Sequence, residues 1–386
     1  MSIYFDEEHE LFRREFRRFV ENEVAPIASA ADRAGEFPLQ LLRSLGKQGY
    51  LCIQLPEQYG GASADVMMLV VAAEEMAYAS SGIDASLLVH SIISVNPIYK
   101  FGSAGQRERY LPKAASGDMV GAIAMTEPDA GSDVASIRTA ARRDGDSYVL
   151  NGTKIFITNG SMADFVVVAA RTGGPGHRGI SLFIVDTDRP GFKVARRLDK
   201  LGWRASDTAE LVFEDCIVPS GSLIGEAGQG FYYLMDNLNL ERIVMAADCL
   251  GLARAALDQA KSYALARRQF GQTIASFQDI RFMIVDMQAR LRAAELLTYD
   301  AAWKLQSDES CSLEASMARY VAGEMVNRVT GDAIQIHGGY GFLMESDVQR
   351  FYRDARVMTI GGGTSQIQKE VIARGLGLAG PKGGDK

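Results

Sequence analysis

Tyr148-Val149-Leu150-Asn151-Gly152-Thr153-Lys154-Ile155-Phe156-Ile157 is where the chain stops reading as helix and begins to read as sheet. β-Branched and aromatic residues flank Asn151-Gly152, and Asn-Gly between such runs is the strongest short hairpin signal. The spacing predicts two strands about that turn. Residues 165–170, 180–185, 192–195 and 210–213 continue the strand pattern, separated by loops such as Gly173-Gly174-Pro175-Gly176. Several short strands at this spacing predict a compact β-barrel or sandwich.

On either side the period is helical. From Asp6, Phe12, Phe16, Phe19 and Val20 recur at i, i+4, i+7 and i+8, an amphipathic helix. Helical patterns follow over 39–45, 66–78 and 86–99, with breaks expected at Leu55-Pro56, Gly60-Gly61 and Leu111-Pro112. From about Gln229 the long period returns. Ile280, Met283, Ile284, Met287, Leu291 and Ala294 form one stripe, and Met317, Tyr320, Val321, Met325 and Val326 contribute to another. Short breaks at 271–276 and 307–312 imply an antiparallel bundle, with the methionines as core filler. The expected fold class is therefore multidomain α+β: an N-terminal α-helical domain (1–118), a middle β domain (119–228) and a C-terminal helical bundle (229–386). The tail 380–386 reads as disordered.

Composition narrows the function classes. With 386 residues, 47% of them apolar, the chain can bury a large core in two or three domains. A net charge of -7 gives no electrostatic footprint for nucleic acid or an anionic membrane. No uninterrupted apolar run approaches the ~20 residues of a membrane span. The first residues mix acids with arginines and lack an apolar signal core, so a cytoplasmic location is expected. Cys52, Cys216, Cys249 and Cys311 lack Cys-x-x-Cys spacing and read as reduced core thiols. His9, His90, His177 and His337 form no His-x-x-x-His pair, so no metal site is expected.

Four segments have the residue types of a binding site, and each also has a plain structural reading. Met125-Thr126-Glu127-Pro128-Asp129-Ala130-Gly131-Ser132-Asp133 follows an apolar strand; its glycine admits close backbone approach and its hydroxyls can donate, but a simple turn explains it too. Phe156-Ile157-Thr158-Asn159-Gly160 offers a ring and a hydroxyl on one strand face, or merely a buried Phe. Arg267, Phe270 and Gln278 fall in a break between helices, where cations ordinarily answer the helix dipole. Gln335-Ile336-His337-Gly338-Gly339 follows a helix and not a strand, so a dinucleotide fingerprint fails, whereas a phosphate-binding loop stays open.

Together and in this order, these runs resemble the acyl-CoA dehydrogenase family, along with Gly363-Thr364-Ser365-Gln366 near the end. The likeness extends to about Leu378. It implies a C-terminal four-helix bundle, bound FAD and a homotetramer. By that likeness Ile123, Met125, Thr126, Gly131, Ser132, Phe156 and Thr158 line the flavin, with Phe156 where relatives often carry Trp. Arg267, Phe270, Gln278, Gln335, Gly338 and Gly339 would reach the FAD of a neighbouring subunit, and Thr364 and Gln366 would complete the site.

Most relatives place the catalytic carboxylate immediately before the Gly-Thr-Ser motif. Here that residue is Gly362, which has no side chain to take a proton. With Gly363 it can still offer backbone N–H groups to a thioester carbonyl. The isovaleryl-CoA and long-chain subset instead takes the base from the first long bundle helix, and the matching run is Asn239-Leu240-Glu241-Arg242. Alone, Glu241-Arg242 reads as a solvated pair; within the family frame Glu241 becomes the expected base. Ser132, Tyr232, Asn239 and Arg242 are the expected substrate contacts. Leu87, Leu88, Ser91, Ile92 and Val95 are candidate acyl-chain walls, although helix packing explains them equally. The runs 198–202 and 210–216 look closer to the isovaleryl type than to the long-chain type, and a missing side chain at 362 is expected to leave room for a branch.

The implied reaction is α,β-dehydrogenation of an acyl-CoA to a trans-2-enoyl-CoA, with electrons passed to an electron-transfer flavoprotein. A long-chain dehydrogenase, an acyl-CoA oxidase, a flavin-dependent monooxygenase and a silent thioester-binding protein are the competing readings.

Overall fold

The computed structural model describes residues 3–378, so the expectation for 380–386 lies outside the described residues. Six helices come first: α1 (Glu7–Phe19), α2 (Ala25–Ala34), α3 (Leu39–Lys47), α4 (Val66–Leu88), α5 (Val95–Phe101) and α6 (Ala104–Ser116). Eight strands follow: β1 (Gly121–Ala124), β2 (Ala140–Asp144), β3 (Ser147–Thr158), β4 (Phe165–Arg171), β5 (Ile180–Asp186), β6 (Phe192–Arg197), β7 (Thr208–Pro219) and β8 (Leu223–Ile224). The chain closes with α7 (Gly230–Ala266), α8 (Gln278–Gln306), α9 (Ser312–His337), α10 (Asp347–Ala355) and α11 (Ser365–Gly375).

The strands form one sheet in the order β6-β7-β3-β2-β4-β5-β8, with β1 pairing parallel to β4. β4 and β5 are buried on both faces. Val166, Val168, Ala170, Phe183 and Val185 point into a core enclosed by the sheet. Phe165, Val167, Ala169, Ile180, Leu182 and Ile184 point the other way, into the core shared with the helices. That double burial is why both strands read as unbroken apolar runs.

The Asn151-Gly152 hairpin does not form. β3 runs straight through it, and the pairing with β7 shifts register between Leu150 and Gly152. Gly152 lies against Thr139, where any Cβ would overlap the threonine, so glycine here serves close approach and not a turn. The real hairpin joins β2 to β3, with Asp144 paired to Ser147. Pro112 likewise sits inside α6 instead of breaking it, because Leu111, Ala114 and Ala115 are buried on one side.

The two helices expected at 66–78 and 86–99 are one continuous run. It departs from helical geometry at Ser80 (φ -160°, ψ 102°) and passes through a π-turn at Val89–Ser94. Within the run Val66–Phe101 an 18-residue window reaches the mean hydropathy of a membrane span (1.3), yet 78% of that window is buried inside the protein. It is a core helix. α7, α8 and α9 pack on one another, α11 packs on α9, and α4 lies along α7. Glu74 and Glu75 on α4 bind Arg13, Arg17 and Arg254 and so fasten the first helices to α7. All four cysteines are buried free thiols.

Candidate active site

One face of α7 carries Glu241, Met245 and Asp248 at i, i+4 and i+7. Glu241 is 8% exposed. Burial raises its carboxyl to about 7, against the opposing pull of Arg242 and Arg319. Arg319, fully enclosed on α9, donates from Nη2 to the Gly361 carbonyl at 3.0 Å and so ties down the loop before α11. In that loop Gly362 has φ +61°, and a Cβ built there would stand 3.5 Å from Glu241 Oε1. The two residues therefore border one small space. The expected free room beside Gly362 is not there: the same Cβ would overlap the Met245 thioether, which fills the position.

Arg242 is buried, donates from Nη1 to Asn239 Oδ1 at 3.2 Å and leaves Nε without a partner. A buried guanidinium with a spare donor suits an anionic or carbonyl ligand. Tyr232 does not join this pair. It stands near the start of α7, 43% exposed, with its ring edge-on to His177.

The loop after β1 is held from inside by Glu127, whose carboxylate accepts from the backbone N–H groups of Arg138 (2.6 Å) and Thr139 (2.9 Å). Lys154, wholly buried on β3, donates to Glu127 Oε1 at 2.7 Å and to the Met125 carbonyl at 2.9 Å. Sequence reasoning missed this clamp; a lone lysine within the apolar β3 run was the available sign. Replacing one member of a buried pair strands the other, at a cost of about 3–5 kcal/mol. Lys154→Met is accordingly expected to lower the melting temperature and the flavin-to-protein absorbance ratio together, measured by thermal unfolding and visible spectra.

Above this clamp Thr126 is half-buried, and Gly131 and Ser132 are exposed, while Ile123 lies in β1 beneath them. β3 bulges between Lys154 and Ile157. Within the bulge Phe156 adopts φ +61° and is 65% exposed, an aromatic side chain turned outward from a strand. Left-handed backbone at a bulky residue is strained and clusters where a ligand is bound. Thr158 follows, half-buried. Asn159, buried and also left-handed, donates to the Ser86 and Gly121 carbonyls, so it braces the site without facing it.

The remaining cofactor candidates fall into two other places. Arg267, Gly338 and Gly339 line a cleft of ≈ 560 Å³ with Tyr263, His337 and Tyr340. Arg267 lies over the Tyr340 ring at 5.7 Å and makes no ion pair among the described residues, and both glycines face open space. Phe270, left-handed like Phe156, is 92% exposed; Gln278 and Gln335 are exposed on α8 and α9. Thr364 and Gln366 border a second cleft of ≈ 400 Å³, and the Thr364 hydroxyl caps α11 by accepting from Ile367 N–H at 3.2 Å. An unpaired guanidinium with open backbone fits a diphosphate, and an outward ring fits a planar heterocycle.

Of the expected acyl-chain wall, Leu87, Leu88, Ser91 and Ile92 do line a cavity of ≈ 50 Å³, together with Val244 one turn from Glu241. Val95 does not. The runs 198–202 and 210–216 also stay away from that cavity: Lys200 is spent on Ser206 and Thr208, and Glu210 pairs with Arg196.

Helices, one curled sheet and helices again is the plan of an oxidoreductase family that acts on acyl thioesters. Known proteins agree. The acyl-CoA dehydrogenase N-terminal, middle and C-terminal domains match residues 6–118, 122–216 and 228–377, and the chain belongs to the acyl-CoA dehydrogenase family. It is 43% identical over 375 residues to an acyl-CoA dehydrogenase of Bacillus subtilis (97% of this chain, 99% of that one). It is 40% identical over 375 residues to a 3-(aryl)acrylate reductase of Clostridium sporogenes (97% and 100%). The crystal structure of an acyl-CoA dehydrogenase from Geobacillus kaustophilus superposes with a TM-score of 0.94 at 40% identity, covering 97% of this chain and 100% of that one. Members of the family are FAD-dependent oxidoreductases.

Proposed function

We propose that this protein dehydrogenates a short acyl-CoA, branched as in isovaleryl-CoA, to its trans-2-enoyl-CoA, with Glu241 as the base. The observation that carries the reading is the buried Glu241 carboxyl bordering the same space as Gly362. A carboxyl raised to about 7 is a stronger base than an exposed one and is substantially ionised at neutral pH. Gly362 and Gly363 supply backbone N–H groups for the thioester oxygen, and Arg242 and Asn239 orient the substrate. When bound, FAD supplies the acceptor for the β-hydride. The cavity of ≈ 50 Å³ supports a short chain. The Met245 thioether is a deformable wall that a β-branch can displace. Electrons then pass to an electron-transfer flavoprotein.

The exposed rings of Phe270 (92%) and Phe342 (86%) support an assembly that covers them, and we assign a homotetramer. Sedimentation velocity checks it.

Anaerobic flavin bleaching by a panel of straight and branched acyl-CoAs tests the reaction. Bleaching by short branched chains is the expected result; no bleaching by any thioester overturns it. Rapid peroxide formation in air without an added acceptor would identify an oxidase instead. The base must be ionised, so kcat/KM is expected to fall roughly tenfold per pH unit below about 7 and to level off above it. Arg319→Met removes a cation that favours the ionised form, so the break should move to higher pH. An unmoved break in that variant would count against Glu241 as the titrating group.

A further inference from the structure

Gly361-Gly362-Gly363 is a run with no side chain of its own to hold the backbone, yet each of its carbonyls is anchored. Arg319 Nη2 donates to the Gly361 carbonyl at 3.0 Å. Gln368, on α11, directs its two amide hydrogens to the Gly362 carbonyl (3.3 Å) and the Gly363 carbonyl (3.2 Å). Both side chains are buried, and among the described residues neither makes another hydrogen bond. A Cβ at Gly363 would stand 2.8 Å from Gln368 Nε2 and displace the amide. Two enclosed polar side chains therefore serve three consecutive carbonyls of the loop that borders Glu241.

A trans peptide unit is planar, with its C=O and N–H on opposite sides, and every described peptide bond here is trans. Holding the Gly361 carbonyl on Arg319 turns the Gly362 N–H away from Arg319. Holding the Gly362 carbonyl on Gln368 likewise turns the Gly363 N–H away from Gln368. Neither N–H has an acceptor among the described residues. Gly362 is exposed and Gly363 half-buried, so these donors open onto the site and not into the core. Successive free backbone N–H groups in a turn form a concavity for a negative oxygen. A charged donor on a carbonyl also polarises the peptide and strengthens the N–H at its other end. Without anchors a glycine run rotates readily, and its donors lose their aim.

We propose that Arg319 and Gln368 are positioning residues for the thioester oxygen: from behind the loop they fix the glycine carbonyls and so aim the Gly362 and Gly363 N–H groups. The proposal rests on the acyl-CoA reading and adds the side chains on which its oxyanion donors depend. Preorganised donors need no reorientation as charge builds on the oxygen, and losing one costs about 10²–10³ in kcat. Arg319 also bears on the Glu241 carboxyl, whereas Gln368 is neutral, so Gln368 separates donor aim from the charge of the base.

Gln368→Met keeps the length of the side chain and removes both donors. On the FAD-loaded variant kcat is expected to fall roughly 10²-fold while KM changes little, and the pH of the break in kcat/KM should stay where it is. Infrared difference spectra of a bound trans-2-enoyl-CoA, isotope-labelled at the thioester carbonyl, read the hydrogen bonding itself. The downshift of that C=O stretch on binding should shrink in Gln368→Met. Arg319→Lys, which keeps a cationic donor, should retain more of the downshift and of kcat than Arg319→Met. A native downshift and native kcat in Gln368→Met overturn the proposal, and so does a loss confined to KM. Should Gln368→Met lose its FAD, the two Arg319 variants decide: equal downshifts in both overturn the proposal, and a larger one in the lysine variant upholds it. Failure of every thioester to bleach the wild-type flavin is a different outcome, and overturns the dehydrogenase reading itself.

Discussion

Glu241→Gln is expected to bind FAD and acyl-CoA as the native protein does, yet bleach its flavin roughly 10²–10⁴-fold more slowly, the range a positioned general base contributes. Glutamine keeps the shape of the side chain and removes its capacity to take a proton. Gly362 can contribute only backbone to the same space. The nearest acid on that face of α7, Asp248, is tied to Asp84 and to the Ser81 hydroxyl. Stopped-flow bleaching under anaerobic conditions measures the step directly, and absorbance of the resting flavin shows that the cofactor is retained. A full-rate Glu241→Gln variant would sink the base assignment, and Asp248→Asn would then be the next variant to make.

The order of helix, sheet and helix was legible because the period of apolar residues changes at both junctions, and periodicity is a local property. What periodicity could not supply was long-range contact. Gly152 reads as a turn because nothing nearby in sequence shows that Thr139 presses against it. Pro112 reads as a break because the burial of Leu111 and Ala114 that holds α6 together comes from elsewhere in the fold. The site divides the same way. No local pattern pairs Glu241 with Gly362; the family resemblance proposed it, and folding brings α7 to the loop that Arg319 holds. Neither source pointed to Met245 in the gap or to the Glu127–Lys154 clamp. Each is a polar or flexible residue inside an apolar run, whose meaning depends on the partner it meets.

Met245 decides the outcome of moving the base back. Glu241→Gly with Gly362→Glu transfers the carboxylate to the other wall of the same space, since a Cβ at 362 lies 3.5 Å from the present Glu241 Oε1. Two obstacles stand at the new position. A side chain at φ +61° costs about 1–2 kcal/mol in backbone strain. The Met245 sulfur also occupies the place of the new Cβ. The double variant must push that flexible thioether aside and is therefore expected to regain less than a variant that lacks it. Adding Met245→Ala opens the space, and the new glutamate refills part of the void that the truncation would otherwise leave. That triple variant should exceed Glu241→Gly by roughly 10²-fold on straight-chain acyl-CoA, the lower end of what a positioned base restores. A matched triple with Gln at 362 should gain nothing, which separates proton abstraction from repacking. Recovery in the glutamine control, or none in the glutamate triple with FAD bound and native-like melting, would show that the two walls do not serve one reacting carbon.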